Sequence, residues 1–138
     1  MRTTSNVVNR LEEAGVKPSV QRMAIMKYLV DHPVHPTVDM IFHALFPAMP
    51  TLSKTTVYNT LKLLSEEGVV HSIDIDEKNV RYDGDISPHA HFKCKGCGAI
   101  IDLHIEMPDN KHIANFSDLK IDECQLYYKG YCKNCITM

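Results

Sequence analysis

Residues 89–104 carry three histidines, two cysteines and one aspartate: His89, His91, His104, Cys94, Cys97 and Asp102. Cys94-Lys95-Gly96-Cys97 is a Cys-x2-Cys pair, and after a gap of 34 residues Cys132-Lys133-Asn134-Cys135 supplies a second. Two thiolates on one tight turn can point at one ion, and two such turns close a tetrahedron, which is the arrangement zinc favours. A shell of four protein ligands leaves no position for substrate, so a Zn²⁺ on Cys94, Cys97, Cys132 and Cys135 would be structural, clamping the C-terminal end to the first hairpin. The same spacing also occurs in redox dithiols and disulfides. In a chain expected in a reducing compartment, metal ligation comes first. Cys124 is left over and reads as a buried or surface thiol.

The remaining candidates are nitrogen and oxygen donors. His89 and His91 alternate on an extended segment, so both side chains face one way. Asp102 falls on the strand expected next to them. His35 lies in a proline-rich loop, and Asp83 precedes a Gly- and Pro-containing link. Mixed imidazole and carboxylate donors suit Mn²⁺, Fe²⁺ or Zn²⁺ rather than Cu⁺. A site drawing ligands from two domains would act as a conformational lock. Taken singly, each of these residues also has a plain reading as a surface histidine or loop aspartate. His32, His43, His71 and His112 stay in that class. His104 reads equally as lining an accessory site or facing solvent.

The elements that must position these ligands come in two kinds. Residues 5–14 place Val7, Val8, Leu11 and Ala14 on one helical face, and Gly15 suits a helix stop. Ser19 caps a second helix at residues 20–31, whose apolar positions are Val20, Met23, Ala24, Ile25, Met26 and Leu29. Thr37 opens a third, with Val38, Ile41, Phe42, Leu45 and Phe46 as its expected buried side. Ser53 caps a fourth at residues 54–67, with Val57, Leu61 and Leu64 inward and Gly68 as its stop. Residues 69–75 and 80–82 read as a β-hairpin. Short helices followed by a hairpin make a winged helix-turn-helix, whose last helix enters the DNA major groove. Its outward residues Lys54, Thr55, Thr56, Tyr58, Asn59 and Lys62, together with the cap Ser53, suit base edges and phosphates of double-stranded DNA. The same set also fits an ordinary solvated helix face.

Beyond residue 83 the pattern changes to strands, at residues 91–93, 99–103 and 125–131, with a short helix expected at 109–116 capped by Asp109. The expected fold class is α+β: a winged-helix domain at 1–83, a hinge at 84–88, and a small α/β dimerisation and metal-binding domain with a three-stranded sheet at 89–138. Such a sheet has a long exposed edge unless it pairs with a copy of itself, which points to a homodimer and a palindromic operator.

Composition narrows the class only a little. The chain of 138 residues has room for one ordinary domain or two small ones. Residues 1–83 carry 9 Lys+Arg against 10 Asp+Glu, and residues 84–138 carry 6 against 7. Neither half is basic, so any DNA contact must come from local pattern rather than net charge. No apolar run approaches the ~20 residues of a membrane span, and the polar N-terminus is unlike a signal peptide. The expected location is the cytoplasm, with no membrane partner.

These motifs resemble those of a known family. His35-Pro36-Thr37, the helix Lys54-Thr55-Thr56-Val57-Tyr58-Asn59-Thr60-Leu61, Arg81-Tyr82-Asp83, the run from His89 to Gly98 and the closing Cys132-Lys133-Asn134-Cys135 look like the ferric-uptake-regulator (Fur) family, in order and over almost the whole chain. The resemblance implies a dimeric winged-helix repressor with a structural Zn²⁺ on the four paired cysteines. It implies a regulatory Fe²⁺ or Mn²⁺ on His35, Asp83, His89, His91 and Asp102 at the domain junction, and a recognition-helix role for Tyr58. Iron-sensing members typically carry Glu at positions 83 and 102. Asp at both resembles the peroxide-regulator (PerR) branch, in which bound iron splits peroxide and a ligand histidine is oxidised. Carried over, the targets are His35 and His89, the metal then leaves, and the operator is released. A His tends to stand at the position of Cys124 in iron-sensing relatives, so the accessory site near His104 is expected to be incomplete here.

Two other readings compete. An iron- or zinc-responsive uptake repressor of the same family differs at Asp102 by one methylene. A small metal-dependent enzyme would need an open coordination position and a general base in a pocket. No Ser, Cys or Glu stands at motif spacing beside these ligands, and such an enzyme leaves the recognition-like helix unexplained. The expectation is therefore a regulator, not an enzyme, with no small-molecule substrate other than peroxide.

Overall fold

The computed structural model describes residues 2–76, 78–108 and 116–136. The chain divides into two compact units, Met1–Ile86 and Ser87–Met138. The helix expected at 109–116 lies, but for its last residue, outside the described residues.

The first unit is helical and ends in a hairpin: α1 (Arg2–Glu13), α2 (Val20–Asp31), α3 (Val38–Leu45), α4 (Lys54–Glu66), β1 (His71–Ile73) and β2 (Arg81–Asp83). Three helix starts are set by side-chain caps. The Ser19 hydroxyl accepts from Arg22 N, Thr37 from Met40 N and Ser53 from Thr56 N, each satisfying one of the amides that a helix start leaves open. At the end of α4, Gly68 takes φ +76°, Gly68 N donates to Ser65 O and Val69 N to Leu64 O. That double bond is a Schellman stop, and its left-handed residue favours glycine. Val69 and Val70 are thus spent on closing the helix and filling the core, and β1 begins only at His71 rather than at 69.

The core lies between the four helices and the hairpin. Leu11, Ile25, Met26, Ile41, Val57, Leu61 and Leu64 are almost fully buried, joined by Val7, Leu29 and Tyr82. Each such side chain contributes roughly 1.5–3 kcal/mol by leaving water. Two apolar residues of these helices lie outside the core, of which Phe46 was expected inside. Val20 is 73% exposed, because it lies about 140° around α2 from Ile25 at ~100° per residue. Phe46 is exposed because the chain tightens into a 3₁₀ turn, Phe46–Ala48, just where the helical stripe would have carried it inward. Its ring lies against that of Phe42 instead, tilted by 35° with centroids 5.2 Å apart.

The second unit is a three-stranded sheet, β3 (Ala90–Cys94), β4 (Ile100–Leu103) and β5 (Tyr127–Gly130), in the order β4-β3-β5. β3 runs antiparallel to β4, with His91 opposite Asp102, and parallel to β5, with Cys94 opposite Gly130. A 3₁₀ turn, Phe116–Asp118, precedes β5. Among the described residues each outer strand has one paired neighbour, and both outer strands expose apolar side chains, Ile101 on β4 and Tyr128 on β5. The chain taken together is α+β: a winged-helix unit followed by a small three-stranded sheet. No helix of the described residues is long and apolar enough to cross a membrane.

Candidate metal centres

The sheet register assembles the four paired cysteines. β3 ends at Cys94, and the parallel strand β5 ends opposite it at Gly130, two residues before Cys132. Lys95 N donates to Gly130 O at 2.6 Å, holding the two chain ends together. One sulfur from each of Cys94, Cys97, Cys132 and Cys135 lies within 4.8 Å of the others. The Sγ atoms of Cys97 and Cys132 are 3.8 Å apart. That separation is far beyond a disulfide, and all five cysteines are free thiols. It equals the edge of a tetrahedron with ~2.3 Å zinc–sulfur bonds, roughly 3.8 Å. The donor set therefore fits Zn²⁺.

The backbone around Cys94 is arranged for a thiolate. Gly96 N, Cys97 N and Cys132 N all donate to its Sγ, at 3.3, 3.4 and 3.4 Å. The amides of Cys132 and Cys97 lower its pKa to about 6, against the opposing effect of burial. Cys135 faces Cys132 and Cys94, which together with burial push its thiol up to about 12. Four sulfurs this close cannot all ionise unaided, and a divalent cation reverses that preference. Gly96 is the residue that composition could not single out. A Cβ there would stand 2.9 Å from both Cβ and Sγ of Cys135, so the closeness of the two cysteine turns excludes any side chain. Cys124 is exposed rather than buried and stands outside this cluster.

The nitrogen and oxygen donors form two groups, one in each unit. In the first unit, β2 carries Arg81 and Asp83 on one face, two residues apart. Arg81 Nη1 donates to His35 O at 3.2 Å, while its Nε and Nη2 donate to Asp76 Oδ2. Tyr82 N donates to Pro36 O at 3.0 Å. The wing strand thereby grips the His35 loop, and His35 Nε2 comes to 3.6 Å from Asp83 Oδ2 with both side chains buried. His35 has φ +56°, the left-handed region, which costs a non-glycine residue about 1–3 kcal/mol. The other Asp83 oxygen, Oδ1, accepts from Asp85 N at 2.9 Å.

In the second unit, two imidazoles converge on one carboxylate oxygen. His89 Nε2 and His91 Nε2 lie 3.3 and 3.4 Å from Asp102 Oδ1. The His91 and Asp102 positions are cross-strand partners, which accounts for one contact. The other arises because His89 Nδ1 donates to Ser87 O at 2.7 Å, turning Nε2 toward the carboxylate. A carbonyl in this place fixes the tautomer with Nε2 unprotonated, the form that a metal would need. The His104 ring stands 5.6 Å from that of His89, centroid to centroid. Imidazole and carboxylate donors of this kind fit Fe²⁺ or Mn²⁺.

On α4, Lys54, Thr55, Tyr58, Asn59 and Lys62 are exposed, with Tyr58 at 50%. Thr56 is half-buried, and its hydroxyl accepts from the Ser53 hydroxyl at 3.0 Å, so these two serve the helix start first. Lys54 Nζ lies 3.3 Å from Asp39 Oδ1 and above the Phe42 ring. Of the outward set, Thr55, Tyr58, Asn59 and Lys62 have exposed side chains that make none of these contacts with the described residues.

The fold and its two kinds of candidate ligand cluster define a winged-helix protein whose C-terminal sheet carries residues that could hold metal. Residues 13–129 match the profile of the ferric uptake regulator family. The chain belongs to that family. It is 35% identical over 130 residues to the peroxide-responsive repressor PerR of Staphylococcus epidermidis, covering 91% of this chain and 85% of that one. It is 36% identical over 127 residues to the peroxide operon regulator of Bacillus subtilis, covering 91% and 88%. Among solved structures it is similar to PerR from Streptococcus pyogenes, with TM-score 0.54, 29% identity and coverage of 96% and 92%. It also shares its fold with the Helicobacter pylori ferric uptake regulator Fur, with TM-score 0.72, 21% identity and coverage of 96% and 93%.

Proposed function

We propose that this protein is a dimeric, metal-dependent repressor that senses hydrogen peroxide through oxidation of its own ligand histidines. The observation that carries the reading is the sulfur-free group in the second unit: two imidazole nitrogens on one oxygen of Asp102. His35 and Asp83 in the first unit complete the proposed ligand set, so that one Fe²⁺ or Mn²⁺ would hold both units. Zn²⁺ occupies the four-cysteine cluster and is structural. The peroxide-responsive repressors among the relatives support the peroxide branch over iron or zinc uptake control.

Fe²⁺ held there would supply redox chemistry that cleaves peroxide, the oxidant, with one peroxide oxygen ending on an imidazole carbon in place of its hydrogen and the other leaving as water. The protein's part is to present imidazole carbons where the oxygen can be captured. His89 is held by Ser87 O with its Nε2 toward the ligand group, and His35 is buried in a strained backbone conformation. Neither site uses a thiol as the oxidation target, so the damage would not be reversed by thiol reductants. Tyr58, Asn59 and Lys62 would meet the major groove of a palindromic operator, with Ser53, Lys54, Thr55 and Thr56 near phosphates. The exposed outer strands of the sheet support pairing with a second copy. Action on DNA implies a cytoplasmic location.

The test is intact-mass and peptide mapping after Fe²⁺ loading and equimolar peroxide, with Mn²⁺ as control and operator gel shift in parallel. A gain of about 16 Da on His35 or His89, with iron only, together with loss of DNA binding, is the expected result. DNA binding that survives peroxide with no mass gain would make this an iron- or zinc-responsive uptake repressor instead.

A further inference from the structure

Within the segment expected as a hinge, 84–88, residues 84–86 are tied to the first unit. Arg10, on α1, donates through Nη2 to Gly84 O at 2.7 Å and to Val69 O at 2.8 Å. Gly84 itself packs on α2: a Cβ there would stand 3.3 Å from Leu29 Cβ. Asp85 N donates to Asp83 Oδ1, and Ile86 O contacts His71 Nε2 at 3.3 Å. Residues 84–86 are therefore held at three points by α1, α2 and β1, and they belong to the first unit, which ends at Ile86.

Arg10 is the most distant of these anchors in sequence, 74 residues from Gly84. Its guanidinium is half-buried, and Asp85 favours its charge against that burial. One nitrogen satisfies two carbonyls, one from the stop of α4 and one from the residue next to Asp83. A charged donor on a carbonyl makes a stronger bond than a neutral one. The carboxylate of Asp83 accepts from Asp85 N on one side, and Gly84 is the residue that links the two.

We propose that Arg10 is a positioning residue for Asp83: by clamping Gly84 O to α1 and to the end of α4 it holds the Asp83 carboxylate against His35 in metal-free protein, so that the first unit presents a preformed half of the regulatory site. The proposal rests on the reading of Asp83 as a ligand of that site. It adds a residue outside the ligand set, on the N-terminal helix, whose loss weakens metal binding without touching the ion.

The test uses the full-length zinc-loaded protein and two variants, Arg10→Met, which keeps much of the volume, and Arg10→Lys, which keeps the charge. Two quantities are read: hydrogen exchange across residues 83–86 without regulatory metal, and Mn²⁺ affinity by calorimetry. Arg10→Met should raise exchange locally at Gly84, Asp85 and Ile86 and weaken Mn²⁺ binding about tenfold, the usual scale for losing an outer-shell partner. Arg10→Lys should recover part of both. Unchanged Mn²⁺ affinity in Arg10→Met overturns the proposal. So does faster exchange spread evenly over the first unit, which would make Arg10 a general stabiliser. If the unaltered protein binds no Mn²⁺, the regulator reading itself fails. The exchange data then decide the clamp alone, with unchanged protection at 84–86 overturning it.

Discussion

The four-cysteine cluster and the histidine–aspartate ligands are built on opposite plans. Every cysteine of the first comes from one unit, on two turns locked side by side by β3 and β5, with backbone amides already aimed at Cys94 Sγ. The second kind is divided: His35 and Asp83 in one unit, His89, His91 and Asp102 in the other. A site closed within one small sheet binds its ion as part of folding. A site whose donors belong to separately folded units can be filled or emptied while both units stay folded. Under the proposed function, the first would hold an ion that is part of the architecture and the second one that carries a signal.

That contrast is broken most severely by Cys94→Ser. It removes the sulfur that receives three amide bonds, and zinc together with the folded second unit should be lost, since structural zinc contributes on the order of 10 kcal/mol. Metal analysis and circular dichroism check it, and a stable zinc-free dimer would sink the structural role. Gly96→Ala comes next. Its Cβ meets Cys135 at 2.9 Å, so the two turns must separate, and zinc should be lost to a competing chromophoric chelator at ~10-fold or more lower chelator concentration. Retained affinity would mean that the turns yield more easily than their packing indicates.

Dialysis against EDTA sharpens the comparison without mutation. One zinc per chain should remain, added Mn²⁺ should be removed, and far-ultraviolet dichroism should not change. Loss of both metals together would contradict a closed and an open site in one chain. The smallest effect is expected from Asp102→Glu. The added methylene lets the carboxylate still reach His89 and His91, so Mn²⁺-dependent operator binding should persist to within a few-fold while the histidine mass gain on peroxide treatment falls. An unchanged mass gain would remove the meaning attached to the short side chain.

Much of this was legible in the residues. Ser19, Thr37 and Ser53 cap the helices that their positions announced, and Gly68 ends α4. The winged-helix order and the three strands follow from apolar periodicity and turn residues. Less legible were positions where a local rule met a tertiary one. Val69 and Val70 alternate like a strand but serve the helix stop. Val20 and Phe46 are apolar and lie outside. Arg81 was visible only as part of a motif, although standing two residues from Asp83 on a strand already puts both on one face.

By itself the sequence determined the ligand chemistry and its local spacing: thiols in pairs two apart, imidazoles alternating on a strand, carboxylates at 83 and 102, and caps that start helices where they must. These are properties of neighbours along the chain, governed by 3.6- and 2-residue periods and by side-chain chemistry. Only the tertiary structure decided which distant groups meet. The parallel pairing of β3 with β5 sets Cys132 beside Cys94, the bonds from Arg81 and Tyr82 carry His35 to Asp83, and Arg10 reaches across to Gly84. Those encounters depend on how helices and strands pack over tens of residues of separation, and no local pattern encodes them.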